Sequence, residues 1–207
     1  FFTSLKRYDL YHHYTVDEHC FQVVGNIEAL VASPGKRMEP LARIYTEIAD
    51  KQVIFLAALL HDIGKIEGRG HAKKGAALSQ KILKRLQIKD AQIDAVSYLI
   101  EIHLLMSHYS QRRDPTDIGT LKTFTSRVRS RTNLKSLCVL TYADLKATSP
   151  HAWTEWKRTL LWGLYLKAYE FMAQKEKKPE TVYKTRKAQI LRAFRDKASR
   201  AKALEHL

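Results

Sequence analysis

Residues 53–65 read Val53-Ile54-Phe55-Leu56-Ala57-Ala58-Leu59-Leu60-His61-Asp62-Ile63-Gly64-Lys65. The eight apolar residues from Val53 to Leu60 form the longest such run in the chain. That is far short of the roughly 20 needed to cross a bilayer. The run therefore reads as the most hydrophobic helix of a soluble bundle. It ends in a histidine and an aspartate, and Gly64 follows almost at once. Neighbouring residues on a helix point about 100° apart, so His61 and Asp62 can serve one site only near a helix end or around a cavity. The glycine-rich break from Gly64 to Gly70 puts them at such an end.

Helical periodicity continues on both sides of this stretch. Thr15-Val16-Asp17-Glu18 matches a capping box, with Thr15 as N-cap and Glu18 at the third helical position. The helix it opens carries Val16, Cys20, Val23, Ile27 and Leu30 on one stripe and ends near Ser33-Pro34-Gly35. Further helices are expected at about 40–50, 51–62, 72–87, 90–107, 118–130, 133–147 and 151–174. The polar segment from Ser107 to Asp117, with Pro115 near its end, reads as a loop. No internal repeat, β-type alternation or low-complexity stretch interrupts the pattern. Eight Gly and five Pro are few for a turn-rich β chain, and abundant Ala, Leu, Lys and Arg favour helix. The fold class that follows is all-α, a helical bundle.

Several polar groups sit on apolar stripes. His19 lies between Val16 and Val23, and His61 follows Ile54, Ala57 and Ala58. His103 follows Val96, Leu99 and Ile100, and Asp144 follows Leu137 and Leu140. A buried polar group needs a partner, and a buried carboxylate needs a cation or strong donors. One such histidine alone is more often a hydrogen-bonded core residue than a ligand, and one such aspartate can simply cap or pair with arginine. Several on different helices point instead to convergence at the bundle centre, where facing helices build metal sites from inward His and carboxylate groups. The frame His19…His61-Asp62…Asp144 offers two imidazoles and two carboxylates. That donor set suits Mn, Fe, Co, Ni, Zn or Mg, the mixture somewhat favouring transition metals.

The series H…HD…D resembles the HD phosphohydrolase superfamily, and longer stretches narrow the likeness. Tyr11-His12-His13-Tyr14-Thr15-Val16-Asp17-Glu18-His19 resembles the YH-x-YTVDEH motif of the HD domain of bacterial PII uridylyltransferase/uridylyl-removing enzymes. So do Ala58-Leu59-Leu60-His61-Asp62-Ile63-Gly64-Lys65, His103-Leu104-Leu105-Met106-Ser107, Gln111-Arg112-Arg113-Asp114 and Ala143-Asp144-Leu145-Lys146-Ala147-Thr148-Ser149-Pro150. Trp153 and Trp156-Lys157 continue the last motif, and the likeness covers about residues 8–170.

The resemblance implies an HD-domain bundle that hydrolyses, with divalent metal, the phosphodiester joining UMP to a tyrosine of the PII signalling protein. This is the uridylyl-removing half of a bifunctional nitrogen-regulation enzyme. In that family a nucleotidyltransferase domain adds the group and ACT domains sense glutamine. No Gly-Ser with a downstream Asp-x-Asp and no βαββαβ pattern occurs here, so both are expected on missing parts of a longer protein. Under the same likeness His19, His61, Asp62 and Asp144 hold a first metal. Asp62 bridges to a second, with His71 and His103 as its further ligands. The catalytic candidates are Asp62 and Lys65. Lys65, about one helical turn from His61, would neutralise charge developing on the phosphorus, the alternative being a solvated helix-end lysine. Arg112 and Arg113 would bind substrate phosphate, or are exposed loop arginines. One departure stands out: the family often has paired histidines before Leu-Leu-Met-Ser, and Ile102 occupies the first position. It predicts a weaker second metal, or a divergent relative with another phosphate ester. The alternative function is a stand-alone HD nucleotidase or phosphodiesterase acting on a small nucleotide. A metal-stabilised scaffold without turnover comes third.

Net charge is +15, but residues 175–207 carry eleven Lys or Arg against four Asp or Glu, a net of +7. That tail lacks the aromatic interleaving of a base-stacking platform, so it reads as a solvated basic helix rather than a nucleic-acid site. Ile190, Phe194, Ala198 and Ala201 give it an apolar stripe. The expected organisation is an HD domain over 1–174, then a linker and a basic amphipathic C-terminal helix over 175–207. Phe1 and Phe2 in place of an initiating Met suggest a piece of a longer chain. Cys20 and Cys138, the only cysteines, fall in apolar helical patterns and are expected as buried free thiols. With no C-x-x-C, no signal peptide and no membrane span, the expected compartment is the cytoplasm.

Overall fold

The computed structural model describes residues 14–32, 39–149 and 151–176, and among them every regular element is helical. The helices are α1 (Val16–Ala32), α2 (Glu39–Thr46), α3 (Lys51–Leu60), α4 (His71–Arg85), α5 (Asp90–Arg112), α6 (Ile118–Val128) and α7 (Arg131–Thr148). A 3-10 segment, Ile63–Glu67, separates α3 from α4. A last helix, α8, covers 155–176. The chain divides into two compact units, residues 1–169 and 170–207. In the second, the described residues are 170–176. The end of α1 near Pro34, the 175–183 linker, the 184–204 helix and Tyr11-His12-His13 fall outside the described residues in whole or in large part. No described helix is long and apolar enough to cross a membrane.

Helix α1 starts at Val16, directly after Thr15 as the capping box predicts, and the His19 amide donates to the Thr15 carbonyl at 2.9 Å. Its buried face is Val16, His19, Cys20, Val23, Ile27 and Leu30. Helix α3 is capped by Asp50, whose Oδ1 accepts from the Gln52 and Val53 amides at 3.0 and 3.3 Å. Its Oδ2 accepts from Gln92 Nε2 at 2.8 Å, which ties α3 to the first turn of α5. Helix α7 is the most enclosed element: Leu134, Leu137, Cys138, Val139, Leu140, Tyr142 and Ala143 are all buried. Against it pack α1, α2 and α5, while α3 and α4 lie on α5. The bundle core is thus α1, α3, α5 and α7, the four helices that carry or directly precede the polar residues singled out in the sequence. Both cysteines are buried free thiols.

Two sequence expectations need correction. Residues 107–112 continue α5 rather than forming a loop. Their polar side chains bond to the helix itself: Ser110 Oγ donates to the Ser107 carbonyl, and Gln111 Nε2 donates to Ser107 Oγ at 2.9 Å. Tyr109 packs on Phe124 of α6 with ring centroids 5.3 Å apart, a tertiary contact that no local polarity pattern reveals. The last helix begins at 155 rather than 151, because 151–154 form a turn in which the Ala152 amide bonds to the Ser149 carbonyl.

Candidate metal centre

His61 is the C-cap of α3, and Asp62 leaves the helix with φ −102° and ψ 3°. This turn lets the two side chains converge although they are adjacent. His61 Nδ1 lies 2.8 Å from the Ala58 carbonyl, three residues back, and so carries the hydrogen that donates to it. His61 Nε2 is left with a lone pair. Helix α1 brings His19, whose Nδ1 faces the Ala147 carbonyl at 3.4 Å and whose Nε2 lies 3.3 Å from His61 Nε2. Helix α7 brings Asp144, with Oδ1 3.0 Å from His19 Nε2 and 3.6 Å from His61 Nε2. Asp62 Oδ2 closes the group at 3.4 Å from His61 Nε2 and 3.7 Å from His19 Nε2. His19 Nε2, His61 Nε2 and Asp144 Oδ1 therefore form one compact group, and Asp62 Oδ2 lies beside its two imidazoles.

The other oxygen of Asp62 faces a second group. His71 Nε2 lies 3.6 Å and His103 Nε2 3.9 Å from Asp62 Oδ1. His103 repeats the arrangement of His61, with Nδ1 2.6 Å from the carbonyl three residues back, Ile100. His71 is the first residue of α4, after Gly68 and Gly70 take the chain around at φ 82° and 77°. A side chain at Gly64 would meet the His71 carbonyl at 2.0 Å and the Gly75 amide at 2.5 Å. The 3-10 segment and α4 thus touch backbone to backbone, and this contact brings the start of α4 against Asp62. Ile102 is buried, and no ligand comes from its position.

Charge in the centre is strongly polarised. For His61, burial favours the neutral form, but the Asp62 charge and hydrogen bonds to Asp144 and Asp62 outweigh it and lift the imidazole well above the ordinary histidine range. Asp62 sits well below the usual carboxylate range: burial raises it, but the charges on His61 and Lys65 prevail. Asp144 is held low too, its burial outweighed by hydrogen bonds from His19 and His61. The two carboxylates favour positive charge between the imidazoles, whether a proton or a metal ion. His103 differs: burial first, then the neighbouring His61, pushes it down to about 4. It is therefore neutral, as a ligand must be.

Do these donors fit a divalent ion? Atoms bound to one ion at about 2.0–2.2 Å stand about 2.8–3.6 Å apart. Four of the five separations given for the first group fall in that range, and the fifth exceeds it by 0.1 Å. In the second group, His103 Nε2 is buried with no hydrogen-bond partner, which is explained if it keeps its lone pair for a ligand. The residues fit the metal.

Of the sequence candidates, His19, His61 and Asp144 form the first group and Asp62, His71 and His103 the second, with Asp62 Oδ2 also 3.4 and 3.7 Å from the Nε2 atoms of His61 and His19. Lys65 joins them: its Nζ lies 2.6 Å from Asp62 Oδ2, and its side chain is 13% exposed. Arg112 and Arg113 do not. They are exposed at the end of α5, nine and ten residues past His103, or about 14 Å along the axis. Sequence reading missed the carbonyls of Ala58, Ile100 and Ala147 that orient the imidazoles. The first two follow from a simple signal, a histidine three residues after its own helical carbonyl. The third depends on α1 meeting α7.

Comparisons with known proteins show which family the chain resembles. Residues 16–146 match the family model described as "HD domain". The "bifunctional uridylyltransferase/uridylyl-removing enzyme" of Novosphingobium aromaticivorans is 36% identical over 167 residues, 80% of this chain and 18% of that protein. The proteins of the same description from Phenylobacterium zucineum and Haemophilus influenzae (strain PittEE) are 40% and 36% identical over 77% and 78% of this chain, which cover 17% and 19% of theirs. The chain thus spans less than one fifth of the length of these relatives.

Proposed function

The chain belongs to the HD-domain family, and from that premise we propose that it is a metal-dependent phosphodiesterase that removes UMP from uridylylated PII. The observation that carries the chemistry is Asp62, whose two oxygens face two separate histidine-containing groups. His19, His61, Asp62 and Asp144 would hold one ion, and Asp62, His71 and His103 a second. Ions held there supply a water ionised near neutral pH and a clamp for the phosphoryl oxygens.

The remaining roles fall to the protein. The carbonyls of Ala58 and Ile100 fix the tautomers of His61 and His103, so each keeps its lone pair toward the centre. Lys65 brings its ammonium group 2.6 Å from the shared carboxylate, and in this reading neutralises charge that grows on the phosphoryl oxygens. The substrate tyrosine leaves as a phenolate, a fair leaving group, so no strong general acid is needed. Arg112 and Arg113 are exposed at the end of α5, which favours the reading of them as exposed arginines over a grip on the phosphate at the ions. A PII substrate makes this a nitrogen-regulation activity of the bacterial cytoplasm.

The test is to load the chain with Mn2+ and compare UMP release from uridylylated PII with hydrolysis of free nucleotides and small nucleotide phosphodiesters. PII is expected to be preferred by at least tenfold in kcat/KM. Equal or better turnover of the free compounds favours a stand-alone nucleotidase, and bound metal with no turnover favours a scaffold.

A further inference from the structure

Two polar side chains of α1 stand seven residues apart, the buried His19 and the half-buried Asn26. Seven residues make two turns, so both lie on one face. Both reach the backbone of α7. His19 Nδ1 faces the Ala147 carbonyl at 3.4 Å, and Asn26 Nδ2 donates to the Ala143 carbonyl at 3.1 Å. These carbonyls are one turn apart on α7, and Asp144 comes directly after the first. The order reverses between the helices, 19 with 147 and 26 with 143, as antiparallel packing requires. Ala143 and Ala147 are themselves buried, and their small side chains allow this close approach.

We infer that Asn26 is a positioning residue for Asp144, acting through the backbone of α7; the inference rests on the metal-centre reading above. Helix α7 is packed by α1, α2 and α5, and the Asn26–Ala143 bond adds to the His19–Ala147 contact a second polar tie that sets the fine rotation of α7 at Asp144. The shortest separation in the first donor group, 3.0 Å between His19 Nε2 and Asp144 Oδ1, joins the same two helices. A small rotation of α7 would move the carboxylate directly away from the imidazole. Inside α7 the Ala143 carbonyl has its usual helical donor, so the amide of Asn26 uses the second lone pair. That bond is not needed to satisfy a buried group. Its consequence is geometric, as for other groups that orient metal ligands from behind.

The experiment uses the whole chain and Mn2+ alone, titrated by calorimetry, with thermal unfolding run in parallel. Asn26→Leu keeps the branched heavy-atom outline and removes the donor. It is expected to unfold cooperatively and bind Mn2+ at the tighter position about tenfold to hundredfold more weakly. In an Asp144→Asn background the same change is expected to cost no further affinity. Wild-type affinity in Asn26→Leu, beside weakened binding in Asp144→Asn, overturns the positioning role and leaves the metal centre standing. Wild-type affinity in Asp144→Asn itself overturns the metal centre, and this inference with it. Should the leucine variant not fold, Asn26→Asp keeps the shape and replaces the donor with an acceptor. The same loss of affinity is expected there, and unchanged affinity contradicts the inference.

Discussion

His103 is a buried imidazole whose Nε2 has no hydrogen-bond partner. An unsatisfied buried group costs about 1–3 kcal/mol, and a fold does not need one for its own sake. His103→Leu is therefore expected to raise the denaturation midpoint in EDTA, by about 1 kcal/mol or more of stability, and to lower the Mn2+ count from two to one. A drop in stability with both ions retained would make His103 an ordinary core residue. Lys65 lies 2.6 Å from Asp62 Oδ2 without belonging to either histidine group. Lys65→Met is expected to keep metal uptake and lose about a hundredfold in kcat, the scale of removing one charge-stabilising group. Loss of metal together with rate would make it part of the ligand frame instead. At this scale the sequence was legible where a helix explains itself. His19, His61 and His103 stand out because their stripes are otherwise apolar. Asn26 does not, since its partner is a carbonyl 117 residues away.

Helix boundaries and loop geometry decide which of these side chains meet. Gly64 is the sharpest case, with His71 and Gly75 backbone atoms inside the space a methyl group would need. Gly64→Ala must push the start of α4 away. It is expected to destabilise the protein by about 1–3 kcal/mol and to weaken the second ion, which depends on His71, more than the first. Denaturant melts and metal counts on the same sample check both halves, and an unchanged second ion would show that α4 can move without losing the site. Asp50 caps α3 and also accepts from Gln92, so Asp50→Ala is expected to cost about 1–2 kcal/mol while both ions stay bound. A normal melting midpoint would show the cap to be redundant. The break after His61 was readable because glycine clusters end helices. The tight turn back to His71 was readable only as a possibility of the chain. The extension of α5 past Ser107 was not readable, because its stability comes from Tyr109 against Phe124 and from side chains bonded within the helix.

For the whole molecule, the all-α class followed from periodicity and composition, and family membership from motifs spread over most of the chain. The meeting of residues 42 and 125 positions from His19 is a property of packing, and no local pattern contains it. Nearly half of the excess positive charge lies at 177–207, outside the described residues, so the basic balance of the chain says little about the centre. What the centre requires is two opposite demands met at once: carboxylates that favour positive charge, and a neutral His103 beside them. Calorimetric titration of the full chain with Mn2+, beside Asp62→Asn, tests that reading most directly. Two binding events per chain are predicted for the wild type, one tight and one weaker, and both are predicted to collapse when the shared carboxylate is neutralised. A wild-type chain that takes up no Mn2+, or an Asp62→Asn chain that gives the same two events, would contradict it.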